Sequence, residues 1–104
     1  MDCRNIINTC NPKGYSYEKV EIDIFELEQQ AITVKKVKDN PLPFQYASRI
    51  KDVYYNPVYL LRAIKILGTT DVKISINIMN NKAPIYLKSE LGEAIVLPIR
   101  PPQN

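Results

Sequence analysis

The residues best suited to chemistry in this chain are few, and their types restrict what the chemistry could be. The 104 residues contain no histidine and only two cysteines. Without histidine neither a Ser-His-Asp triad nor a Cys-His pair can be built, and a zinc site would need both cysteines plus carboxylates. Cys3 and Cys10 lie seven positions apart, which is not the spacing of a metal knuckle. On a helix they would share one face as reduced thiols, because two turns of rise exceed the Cα separation of a disulfide. The carboxylates Glu21 and Asp23 alternate with isoleucines, and Glu26, Glu28, Asp39, Asp71 and Glu93 sit in expected turns. No spacing singles out an acid/base pair. Gly14, Gly68 and Gly92 are isolated, so there is no phosphate-cradling loop. The sequence is therefore expected to encode no enzyme and to need no metal or other cofactor.

What remains is basic and aromatic. Arg62 and Lys65, three residues apart, would share the outer face of a helix, and seven tyrosines include Tyr54, Tyr55 and Tyr59 around the start of that helix and Tyr15 and Tyr17 near the first strand. Cations interleaved with aromatic rings can hold phosphates and stack bases, although tyrosines at core edges are the commoner use. The 14 Lys+Arg against 11 Asp+Glu give a net charge of +3, which permits an acidic partner without demanding one.

The elements that position these residues are clearest in the second half. Asn56-Pro57 supplies an N-cap and a proline at the first helical position. Leu60, Leu61, Ile64 and Leu67 follow at helical spacing, and Gly68 stops the helix. Val72–Ile78 alternates with period two and predicts a strand; Asn80-Asn81-Lys82 is a turn, Ala83–Lys88 the returning strand, and Ala94–Arg100 a third. Ile50–Tyr55 predicts a strand before the helix, giving the order β-α-β-β-β.

A fainter copy is expected in the first half: a helix over Asp2–Cys10, a strand over Val20–Ile24, its hairpin partner over Ala31–Lys35 across Glu26–Gln30, and a strand within Phe44–Ser48. At an offset of 52 residues Val20–Ile24 falls on Val72–Ile76, Ala31 on Ala83 and Lys36 on Lys88, while Cys3–Cys10 falls on Tyr55–Arg62. The fold expected is α+β: a single domain over residues 1–104 built of two similar (β)αβββ units, about 1–49 and 50–101, with two helices packed on antiparallel sheet.

The run Tyr55-Asn56-Pro57-Val58-Tyr59-Leu60-Leu61-Arg62-Ala63-Ile64-Lys65-Ile66-Leu67 resembles a stretch near the C-terminus of the bacterial DNA polymerase III β subunit, the sliding clamp. The strands at Val72–Met79 and Ala83–Lys88 and the closing Ile95-Val96-Leu97-Pro98-Ile99-Arg100 follow in the family's order. The resemblance covers residues 53–101, and the first half by pattern only. It implies a DNA-clamp-like domain acting in DNA replication or modulating a clamp and its partners. Each family domain pairs two units, with helices lining a hole and sheets outside. Arg62 and Lys65, with Arg4 and Lys13 on the first helix, would then face the backbone of double-stranded DNA. Val96, Leu97, Pro98, Ile99 and Arg100 would line half of a groove for clamp-binding peptides or another clamp. In the family two subunits of three domains each close a six-domain ring, so one domain could encircle DNA only as a homo-oligomer of six copies. The alternative is a protein-interaction module that keeps the clamp-like fold without a DNA function. No run reaches the ~20 apolar residues of a membrane span, and Met1-Asp2-Cys3-Arg4-Asn5 lacks signal-peptide character, so a cytoplasmic location is expected.

Overall fold

In a computed structural model, residues 16–39, 41–68 and 70–101 are described. They form β1 (Tyr17–Val20), α1 (Ile24–Lys35), one 3₁₀ turn (Phe44–Tyr46), β2 (Ser48–Ile50), β3 (Val53–Tyr55), α2 (Pro57–Ile66), β4 (Lys73–Asn77), β5 (Ile85–Ser89) and β6 (Gly92–Val96). β1, β4, β5 and β6 make a four-stranded antiparallel sheet in that spatial order, and β2 and β3 a separate hairpin. The chain is thus α+β, with two helices packed on antiparallel sheet.

The second half follows the expected order. The Asn56 side chain accepts from the Val58 N–H at 2.9 Å, Pro57 occupies the first turn, and Gly68 takes φ 105° just past the C-cap Leu67. That φ lies where a Cβ is penalised, so the glycine ends the helix for a steric reason. β4 is two residues shorter than its alternation suggested. At its end Asn77, buried, turns the chain by accepting from the N–H groups of Met79 (2.9 Å) and Asn80 (3.0 Å). β6 begins earlier than expected, at Gly92, and leaves the sheet before Pro98, which has no N–H to donate. Beyond it Ile99 donates to the Tyr54 carbonyl at 2.7 Å, tying the chain end to β3.

The first half differs from its expected pattern. The expected hairpin between Val20–Ile24 and Ala31–Lys35 is instead the short strand β1 followed by the 12-residue helix α1. Asp23 is the cause: its carboxylate accepts from the N–H groups of Phe25 (2.9 Å) and Glu26 (3.3 Å), opening a helix just after the alternating run. Glu26 through Ala31 are strong helix formers, and Leu27, Ala31 and Val34 bury one stripe, so packing outweighs the β-branched Ile32-Thr33-Val34. The strand expected within Phe44–Ser48 is a 3₁₀ turn closed by Tyr46 N–H to Pro43 (3.0 Å) and Ala47 N–H to Phe44 (2.9 Å), and strand pairing starts only at Ser48. The 52-residue offset therefore lays the helix at Ala31 on the strand approach at Ala83, and the two halves do not repeat in that register. The helix expected over Asp2–Cys10 lies outside the described residues.

One core joins the halves. Leu27 and Ala31 of α1, Leu60, Leu61 and Ile64 of α2, and Ile74, Ile76, Ile85, Leu87 and Val96 of the sheet form a single buried cluster with Val53 and Tyr55. β1 pairs with β4 across the halves, with Val20 opposite Ile74. Polar links fix the layers: Ser48 Oγ donates to Gln30 Oε1 (2.8 Å), and Ser89 Oγ to the Leu67 carbonyl at the end of α2 (2.8 Å).

Candidate functional site

A groove runs between α2 and the edge strand β6, built by two amphipathic elements whose outward residues are not polar. α2 buries Leu60, Leu61, Ala63 and Ile64, which turns Tyr59, Arg62 and Ile66 outward. β6 buries Val96 and so presents Ile95 and Leu97. Ile66, Ile95 and Leu97 are 69%, 61% and 69% exposed. Between them lies a hollow of about 630 Å³ with the buried Ala63 and Val96 beneath, lined also by Pro98, Ile99 and the Pro41-Leu42 segment. Large aliphatic side chains left this bare, beside one another and, among the described residues, on the outermost strand of the sheet, form the kind of patch that serves recognition.

The groove residues named from the sequence thus separate. Leu97, Pro98 and Ile99 line the groove, Leu97 with most of its surface free. Val96 lies beneath them as a core residue, 6% exposed. Arg100 is exposed and lies outside the lining. No local pattern marked Pro41-Leu42 as part of the lining, because that placement depends on the path of the chain after α1.

The basic residues come together on the helix layer. Arg62 and Lys65 are exposed on α2 and line a second, smaller hollow of about 330 Å³ with Lys35 from the last turn of α1. Lys35 escaped the sequence reading because its segment was expected to be a strand; the Asp23 cap was the signal that would have placed it on a helix. The Arg62 guanidinium lies 5.7 Å from the Tyr59 ring centroid, a cation–π distance, and lines both hollows. Arg4 and Lys13 lie outside the described residues. Among the described residues no three Cys, Asp or Glu side chains are grouped to hold a metal ion.

Among the described residues, fold and groove together define a two-helix α+β domain with an exposed apolar hollow at its sheet edge and Arg62 in the lining. Compared with family models, with curated proteins and with solved structures, the chain matches none. No helix among the described residues is long and apolar enough to cross a membrane.

Proposed function

We propose that this chain is a non-enzymatic, sliding-clamp-related protein of the cytoplasm that acts in DNA replication by capturing short apolar peptide segments of clamp partners. The observation that carries this reading is the α2–β6 groove, where Ile66, Ile95 and Leu97 are exposed around one hollow that Pro98 and Ile99 also line. Ile95, Leu97, Pro98 and Ile99 fall on the segment that resembles the clamp's closing strand. Apolar anchors entering such a groove would remove these side chains from water, and Arg62 at its rim offers a partner for a peptide carboxylate. By occupying the same peptides, the protein would compete with an intact clamp for its partners.

The experiment is displacement. A fluorescent peptide from a clamp-binding polymerase is first bound to an intact bacterial clamp, and the full chain is then titrated in. Release of the peptide as the chain forms its own complex is expected; a peptide that stays on the clamp at high chain concentration, with no binding by the chain, refutes the reading.

A second reading is favoured by one observation, the convergence of Lys35, Arg62 and Lys65 on the helix layer. Three cations on one surface suit the sequence-independent contact to duplex phosphates on which a sliding protein depends. A ring of copies around DNA would then appear as a concentration-dependent oligomer in size exclusion with light scattering. A strict monomer that retains no duplex leaves this reading without support, and the protein is then an interaction module alone.

A further inference from the structure

The core-facing residues of β4, β5 and β6, Ile74, Ile76, Ile85, Leu87 and Val96, share one parity along their strands, so both helices cover the same face of the sheet. The alternate residues point to the opposite face, and the strand register arranges them in rows. Lys73 stands opposite Lys88, and Lys88 opposite Glu93. The next row runs Lys19, Ser75, Tyr86, Ile95, and Tyr17 begins a third. Lys19, Lys73 and Lys88 are exposed, Tyr17 is 39% exposed and Tyr86 half-buried. The Tyr17 hydroxyl donates to the Pro84 carbonyl at 2.9 Å, reaching from β1 past β4 to the start of β5, so its ring lies across the sheet.

One feature of this face is costly to the protein alone. Lysines directly opposite on paired strands repel one another. Among the described residues neither Lys19 nor Lys73 has an ion-pair partner, and Lys88 has only Glu93, at 4.0 Å. A ligand that brought phosphates between the lysines would relieve that repulsion, and one that also carried flat rings would use the tyrosines. From the strand spacing the backbones of Tyr17 and Tyr86 stand ~12 Å apart, and the Tyr17 ring leans across β4 toward β5, which brings the two rings close enough to serve neighbouring bases.

We propose that the open face of the four-stranded sheet binds single-stranded nucleic acid, with phosphates on Lys19, Lys73 and Lys88 and bases on Tyr17 and Tyr86. Glu21, Asp71 and Glu90, which share a hollow with these lysines, repel the strand from that end and direct it along the face toward Tyr17. Duplex DNA cannot present its bases to such a surface, which sets this site apart from the helix layer and from the apolar groove.

The test uses the full chain and a 5′-fluorescein-labelled (dT)12, read by anisotropy over a range of salt. Binding is expected, with Tyr86→Val, which keeps strand propensity, weakening it by about 5- to 150-fold. The Lys73→Gln, Lys88→Gln pair should lower the slope of log affinity against log salt by about 1.4. Because a variant could fail through misfolding, amide shifts of the unaltered chain are followed as well: Tyr17, Lys19, Lys73, Ser75, Tyr86 and Lys88 should move. No binding, binding that both sets of variants leave unchanged, shifts confined to α2, or equal binding of polyglutamate overturns the proposal. Ile95 is common to this face and to the peptide groove, so the groove is judged separately, by Leu97, Pro98 and Ile99, which lie outside these rows.

Discussion

Leu97→Ala separates recognition from stability more cleanly than any other single change. Its side chain is 69% exposed, so about two thirds of its surface remains to be covered by a ligand. Burying a whole leucine side chain contributes ~1.5–3 kcal/mol, and the uncovered share therefore amounts to ~1–2 kcal/mol. Truncation should weaken capture of a clamp-binding peptide by about 5- to 30-fold. Folding should hardly notice, since exposed positions outside special contacts change stability by no more than ~0.5 kcal/mol. Leu87 provides the contrast: it is 0% exposed, and Leu87→Ala should cost ~2–5 kcal/mol. Anisotropy of a labelled peptide gives the first quantity and urea unfolding the second. Unchanged affinity in Leu97→Ala refutes the reasoning, and so does a loss of stability comparable to that of Leu87→Ala.

Asp23→Ala removes the carboxylate that receives two N–H groups at the start of α1 and should cost ~0.5–2 kcal/mol in urea unfolding followed by far-UV circular dichroism. Tyr55 is buried, and burial, aided by the charge of Glu26, pushes its phenol up to about 12. The unfolded chain releases this proton near pH ~10, so the contribution of Tyr55 to stability is intact below that pH. It is lost as the pH rises toward 12, by ~2–3 kcal/mol, and Tyr55→Phe should flatten the alkaline limb of a stability profile. Lys73→Thr relieves the cross-strand repulsion with Lys88 and should stabilise the fold by ~0.2–1 kcal/mol at low salt, with the gain shrinking as salt is added.

How far the sequence disclosed the molecule depended on whether local chemistry and tertiary packing agreed. Around α2 they agree: Asn56, Pro57 and Gly68 mark both ends, and the aliphatic stripe between them can face only inward. Leu97 and Ile99 could likewise be named from the closing segment, although the groove they line also needs Ile66 of α2 and Pro41-Leu42, which are distant in sequence. In the first half the signals conflicted. Alternation in Val20–Ile24 and the β-branched Ile32-Thr33-Val34 favoured strands, whereas Asp23 as an N-cap and the run from Glu26 to Ala31 favoured a helix. The α2 surface available to Leu27, Ala31 and Val34 decided the outcome, and no local pattern encodes that surface. Lys35 joined Arg62 and Lys65 for the same reason. The rows of lysine and tyrosine on the open sheet face were hidden more deeply, since they exist only once the register of β1, β4 and β5 is known.

Peptide capture by the α2–β6 groove is tested most directly by following the amide and methyl resonances of the chain as an unlabelled clamp-binding peptide is added. The expected result is a set of shifts at Tyr59, Arg62, Ile66, Ile95, Leu97 and Ile99 that saturate together with one affinity. Resonances of Leu97 and Ile99 that stay in place at saturating peptide would contradict it.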